Sequence, residues 1–427
     1  MEKLMQYIWQ HRLWVQQDMH TVDGRAVQVI DPGRLNTNAG PDFFNAKVRI
    51  DGEMWVGNIE IHPRASDWFR HHHDKDEAYD SVILHVVGKD DMPVHRRNGE
   101  LIPQLRMPCS PKFSEKYHEL VEKASTELPC ATEIQEIPTI YLTDWISTLA
   151  HERLYRKAER INSLLERFHG SWQETCYVTI SRSLGFGINS DAFERLALAT
   201  PLSFMLKHSD SLLSIEALLF GQSGLLDDAP TADAYTLRLK EEYQFLANKF
   251  NLNRPQCLGW KMARIRPGNF PHRRIATLAA LINGGFSLTT SILEAKDEAS
   301  ARDIFNVELT GFWAQRYSFN PTSARSPKAL SDSSVTILLI NAVIPLMYAY
   351  GLSRNDTAMC DRAISLLQSL KAEQNSIVEL FVKAGIKCPD AFTSQALIQL
   401  RREYCETRKC LYCRIGHRML ARKAKSD

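Results

Sequence analysis

The chain changes character near residue 130, and that change constrains its fold more than any single motif. Before it, short runs rich in strand-forming residues alternate with turn signals. Ala26–Ile30 ends at Asp31-Pro32-Gly33, Ala46–Ile50 at Asp51-Gly52, and Trp55–Ile61 at His62-Pro63. Apolar and polar residues alternate in the last two, which predicts strands with one buried and one polar face and puts Glu60 and His62 on the same face. After residue 130, apolar residues recur every three or four positions through Leu142–Phe168, Thr236–Phe250, Arg273–Ile282 and Ala358–Ala384, with Gly, Pro and Asn breaks between them. A chain of 427 residues is long enough for two or three domains. The expected class is α+β: a sheet-bearing domain over 1–110, a proline-marked link over 111–136 with room for a helix around Phe113–Glu127, and a helical domain over 137–427.

Within the first domain, Leu4, Ile8 and Trp9 mark an amphipathic helix ahead of the three strands. A second helix is predicted over Ser66–Tyr79, with Ser66 as its cap. The nearly unbroken apolar run Ser81–Val87 reads as an interior strand, and Pro93–His95 with Leu101–Met107 as a hairpin around Asn98-Gly99. Composition excludes general disorder and a global basic field: hydrophobic residues make up 44%, and 52 Lys and Arg face 50 Asp and Glu. Any nucleic-acid surface must therefore be local. Nine cysteines, an odd number, and the absence of a signal-like leader predict a reduced, cytoplasmic chain. The apolar segment Val335–Gly351 contains Asn341 and Pro345, which suit a kinked core helix, so no membrane is expected as a partner.

The segment Asn38–His85 is the richest in chemistry. Asp42 follows Gly40-Pro41 at the start of one strand, and Glu60 and His62 share a face of the next, so a hairpin of the two strands brings them to one end. Two carboxylates and a further polar group are what Mg²⁺ or Mn²⁺ requires. The order helix, three strands, helix, strand, with Pro41-Asp42 and Glu60-x-His62, resembles the restriction-endonuclease-like nucleases, whose signature is PD…(D/E)xK. That resemblance implies an αβββαβ core and metal-dependent phosphodiester cleavage, with Asp42 and Glu60 as metal ligands. His62 stands at the position of the lysine that orients or activates water. Imidazole lacks the fixed ammonium charge, so a catalytically degenerate binding or scaffold protein is the alternative reading. A third is a small-molecule metallohydrolase using His71, His72 and His73 with Asp67, Asp76 and His85. On a helix His72 and Asp76 would share a face, but consecutive histidines point apart, so His71, His73, Asp76 and His85 are expected chiefly to line the cleft.

Most of the chain also resembles a bacterial family known as domain of unknown function 2851. The resemblance rests on NAGPDFFNAKV from Asn38, WVGNIEIH from Trp55, SDWFRHHHDKDEAYDSVILHVV from Ser66, RPGNFPHRRIA from Arg266 and CLYCRIG from Cys410. It implies no established activity.

Two further clusters lie downstream. Cys388, Cys405, Cys410 and Cys413 concentrate four of the nine cysteines in a short window, and the C-x4-C-x2-C run predicts Zn²⁺ or an iron–sulfur cluster. His417 could replace Cys388. The competing reading is apolar packing of cysteines along one continuous helix over Leu397–Ala421. Arg264, Arg266, Arg273 and Arg274 flank the loop Pro267–Pro271, and nine Lys and Arg face three acids over 401–427. Both groups suit phosphate contacts, with DNA or RNA as the expected partner.

Overall fold

The Asp51-Gly52 pair organises the sheet. In the computed structural model, which describes all residues except 15–17, 37, 108–113, 116, 120–127, 228, 231–232, 256–257, 264, 321–328 and 425–427, both residues have positive φ, at 47° and 87°. That is the conformation a two-residue hairpin turn demands. Among the described residues the sheet has strands β1 (Met19–His20), β2 (Ala26–Asp31), β3 (Arg34–Leu35), β4 (Phe43–Ile50), β5 (Glu53–Arg64), β6 (Val82–Lys89) and β7 (Gln104–Arg106). Their order is β1-β2-β4-β5-β6-β7, with β3 paired to β4. The β1–β2, β2–β4 and β4–β5 pairs are antiparallel, and β5–β6 and β6–β7 parallel. Gly57 allows the close approach of β6 to β5, since a Cβ there would lie 2.4 Å from Ile83 Cγ2.

The chain is mixed α+β and divides into two compact units that are not continuous in sequence. The first comprises Met1–Trp145, Glu379–Lys387 and Ile398–Asp427; the second comprises Ile146–Val378 and Cys388–Leu397. In the first, helix α1 (Glu2–Gln10) buries Leu4, Met5, Ile8 and Trp9. Ala65, Trp68, Tyr79, Val82, Val87, Val94 and Ile102 form an apolar cluster, in which the fully buried Trp68 donates its indole N–H to His95 O at 3.1 Å.

Local structure departs from the sequence expectation at three places. The helix expected over Ser66–Tyr79 is only α2 (Asp67–Arg70), followed by 3-10 turns at His73–Lys75 and Glu77–Tyr79. His72 turns left-handed at φ 62°, and extended Asp76 accepts a hydrogen bond from Ala78 N instead of continuing the helix. The expected hairpin at Asn98-Gly99 is reduced to a single His95–Leu101 bridge. Residues 104–106 instead add a parallel strand beside β6, and Thr21 bridges to Leu105 on the other side of β7. Finally, Leu397–Ala421 is not one helix. It passes through a π-helical stretch at Leu400–Cys405 and a 3-10 turn at Cys410–Tyr412 before the helix Arg414–Ala424, with Arg408 at φ 57° between them. The helix expected over Phe113–Glu127 falls mostly outside the described residues.

The second unit is helical. It includes Trp172–Leu184, capped by Ser171, together with Ala234–Phe250 and Pro271–Ile282, which lie close to the expected Thr236–Phe250 and Arg273–Ile282. The helical stretch Asp332–Arg354 is long and apolar enough to cross a membrane, and 67% of its most apolar window is buried inside the protein. A π-helical segment at Leu339–Val343 precedes Pro345 there, where the i→i−4 ladder loses a donor. The region expected to be helical over Ala358–Ala384 is two helices, Thr357–Ser369 in the second unit and Ser376–Lys383, which belongs to the first unit from Glu379 onward.

Candidate metal centre

The side chains of Asp42, Glu60, His62, His71, His73 and His85 gather where β4 begins and β5 runs beside β6. Strand register accounts for four of the six. Phe43 pairs with Ile59, so Asp42 meets β5 near Glu60, and Glu60 pairs with His85 across the parallel β5–β6 ladder. Asp42 N donates to Glu60 Oε2 at 3.0 Å, Ile61 N donates to Asp42 Oδ2 at 3.0 Å, and Gln6 of α1 donates to Asp42 Oδ1 at 2.8 Å. A bulge after Phe43, with Asn45 at φ 57°, turns the start of β4 toward Glu60.

The break in the helix after α2 supplies the other two. Because His72 is left-handed, His71 and His73 turn back to the same point, while His72 itself is exposed. His73 Nε2 lies 3.3 Å and His62 Nε2 3.5 Å from Glu60 Oε1. His62 Nε2 is 3.1 Å from His71 Nδ1, and His62 Nδ1 is 2.9 Å from His85 Nε2. One ligand atom from each of His62, His71 and His73 falls within 4.8 Å of the others. Tyr79 stacks on His73 at 3.7 Å between ring centroids. The centre is buried at Glu60, His62, His73 and His85 and reaches solvent at His71.

Electrostatics make this group costly without a cation. Burial, then the neighbouring Glu60, raises the Asp42 carboxyl to about 7 against the hydrogen bonds from Ile61 and Gln6. Burial likewise raises Glu60 to about 8, opposed by the Asp42 N–H. The imidazoles move the other way. Burial, then the neighbouring His85, His73 and His71, lowers His62 to about 2, and burial lowers His85 to about 3. In the tautomer that carries the His62 proton on Nδ1, this N–H donates to His85 and the Nε2 lone pair faces Glu60, His71 and His73, the arrangement that prepares a histidine for a metal. Paired carboxyl groups and neutral imidazoles both suit a divalent cation, and three imidazoles suit Mn²⁺ or Zn²⁺ better than Mg²⁺.

Other expected residues fall elsewhere. Asp67 is buried, accepts from Arg64 N at 3.2 Å and pairs with Arg70 at 3.0 Å, and exposed Asp76 caps the turn at Ala78. Neither shares a helix face with His72, because no helix continues there. In the second unit Arg273 and Arg274 are buried rather than displayed. Arg273 Nη1 donates to Trp313 O and Arg316 O at 2.8 and 2.9 Å, and Arg274 Nη2 to Asn269 Oδ1 at 2.6 Å. With the exposed Arg266 they line a cavity of about 280 Å³, and Arg264 lies outside the described residues. Cys388 belongs to the second unit, where its Sγ is 3.9 Å from Asp390 O, whereas Cys405, Cys410 and Cys413 belong to the first. Sequence reasoning missed Gln6, whose only signal is its place on the polar side of an amphipathic helix, and it missed the joining of His71 and His73 to the carboxylates.

The sequence model of a family described as "Protein of unknown function (DUF2851)" matches residues 2–376. Comparison with curated proteins and with solved structures gives no match.

Proposed function

The chain belongs to the DUF2851 family, which carries no assigned activity, and from its own side chains we propose that it is a divalent-metal-dependent phosphodiesterase acting on nucleic acid. The observation that carries this reading is the meeting of Glu60 Oε1 with the Nε2 atoms of His62 and His73, at 3.5 and 3.3 Å, beside Asp42. Glu60, His62, His71 and His73 would hold the ion, with Asp42 next to it. When bound, such an ion polarises a phosphoryl oxygen and lowers the pKa of water. The antiparallel β4–β5 pair, the parallel β5–β6–β7 strands and the flanking α1 and α2 support a nuclease-like αβββαβ core. His62 takes a ligand's part here rather than the lysine's, so the missing ammonium does not remove function. Its second nitrogen, bonded to His85, fixes the ring.

The carboxylates and the histidines form one group, so the nuclease and metallohydrolase readings converge on the same residues and differ in substrate. Exposure of the group at His71 favours a polymer, whose phosphates can reach a site at the surface. The test is cleavage of single- and double-stranded DNA and RNA with Mn²⁺, Mg²⁺ or Zn²⁺. Cleavage that Glu60→Gln lowers at least about 100-fold, with nucleic-acid binding retained, supports the proposal. Binding without cleavage under any of the three metals points to the degenerate scaffold, and neither binding nor cleavage rejects a nucleic-acid substrate.

A further inference from the structure

The break in the C-terminal helix brings together cysteines that a continuous helix would separate. A small cavity of about 20 Å³ in the first unit is lined by Pro129, Cys130, Tyr404, Cys405, Cys410, Cys413 and Gly416. Four of its seven lining residues are cysteines, drawn from two segments more than 270 residues apart. None of the four is in a disulfide. From this convergence we propose that Cys130, Cys405, Cys410 and Cys413 form a four-thiolate metal centre, with Cys130, and not Cys388, as the fourth ligand.

Burial pushes the Cys413 thiol up, and the backbone N–H groups of Gly416 and Ile415, at the start of the helix Arg414–Ala424, oppose that rise by hydrogen-bonding its sulfur. The Trp145 indole nitrogen is buried and has no hydrogen-bond partner among the described residues. Donors directed at a cysteine sulfur are the outer shell that thiolate metal centres use. Gly416 is required by the packing, since a Cβ on it would lie 2.3 Å from Cys410 O. Against these donors, burial and the mutual proximity of the four sulfurs push the thiols up, Cys130 to about 12 and Cys410 to about 11. A thiophilic cation reverses that penalty, each bond replacing one thiol proton.

Zinc and an iron–sulfur cluster share this ligand chemistry. A single Zn²⁺ with bonds of about 2.3 Å draws its four sulfurs to within about 3.8 Å of one another, whereas a cluster spreads them wider. Metal content and acid-labile sulfide distinguish the two.

The centre would act as a staple. Tyr7 OH hydrogen-bonds His417, one turn beyond Cys413, while the adjacent Gln6 holds Asp42. Tying Cys130 to the C-terminal segment thus secures the helix against which α1 rests.

Protein purified without oxygen should contain iron with acid-labile sulfide, or zinc, in about one centre per chain. X-ray absorption at the edge of that metal should show sulfur neighbours at about 2.3 Å in the unmodified protein. Thiol alkylation mapped by mass spectrometry should leave Cys130, Cys405, Cys410 and Cys413 protected until the metal is removed, and modify half-buried Cys388 throughout. Cys130→Ser should lose at least about ten-fold in bound metal and Cys388→Ser none. Iron with sulfide identifies a cluster, and zinc identifies the single ion; both sustain the four-cysteine centre. Metal-free native protein, nitrogen or oxygen neighbours only, or protection of Cys388 in place of Cys130 would overturn it.

Discussion

Gln6 of the first helix donates its side-chain amide to Asp42 Oδ1 at 2.8 Å, tying the helix that opens the chain to a carboxylate 36 positions away. With Ile61 N on the other oxygen, it orients Asp42 and favours its ionised form. Gln6→Ala is expected to weaken Mn²⁺ binding by about 10-fold, as loss of an outer-shell hydrogen bond does. Titration calorimetry against Mn²⁺ checks it, and an unchanged affinity would show that Asp42 plays no part in binding.

The buried acids predict an unusual pH dependence for metal-free protein. A carboxyl whose folded pKa is raised stabilises the fold fully below its unfolded pKa and loses that contribution as pH rises through the folded value. For Asp42 and Glu60, at about 7 and 8, the loss runs from about pH 4 to about pH 8. His62 and His85, lowered to about 2 and 3, contribute stability above about pH 6.5 and lose it as pH falls. By about pH 7.5 the contribution of His62, His85 and the other histidines lowered by burial (His11, His73, His272 and His417) is nearly complete, so between about pH 7.5 and 8.5 the carboxyl slope dominates and Tm should fall with rising pH. Glu216, raised to about 7 by burial, adds the same sign. The part due to the site is the difference from Glu60→Gln, and saturating Mn²⁺ should abolish that part. Thermal unfolding at each pH decides it.

Trp68 is the apolar floor of the site. Its ring lies 5.4 Å from that of His73 and 5.3 Å from that of His85. Trp68→Ala should destabilise the protein by about 3–5 kcal/mol, as loss of a fully buried aromatic does. Denaturant unfolding measures it, and a cost below about 1 kcal/mol would contradict the burial.

The arginines around Pro267–Pro271 should separate into two classes. Arg274→Ala breaks a buried bond to Asn269 and should cost about 2 kcal/mol in stability. Arg266 is exposed, so Arg266→Ala should leave stability within about 0.5 kcal/mol. If this region touches nucleic acid, only Arg266→Ala should weaken binding without unfolding the protein. Urea unfolding alongside a salt-dependent binding isotherm distinguishes the two classes.

Much of the first unit was legible because its signals are local. Alternation fixed the faces of β4 and β5, Asp51-Gly52 fixed their turn, and together they paired Glu60 with His62 on one side. Residues 66–79 were misread for a reason equally local. Helical spacing there is real, but His72 and Asp76 break it through left-handed and extended backbone that no periodicity reports. That break is what lets His71 and His73 act together. The cysteines show the opposite limit: their enrichment near the C-terminal end is visible in the sequence, whereas the cavity that Cys405, Cys410 and Cys413 share with Cys130 is not, because Cys130 lies more than 270 residues away. Buried Arg273 and Arg274 were read as surface because burial of charge depends on distant acceptors such as Trp313 O and Asn269 Oδ1.

The central claim is that Glu60 and the three histidines around it hold a divalent ion. An anomalous difference map from crystals soaked in Mn²⁺ tests it without assuming a substrate. A peak bounded by Glu60 Oε1, His62 Nε2, His71 and His73, absent in Glu60→Gln, is the predicted result. A map without density at that position, or with its only peak elsewhere on the protein, would contradict it.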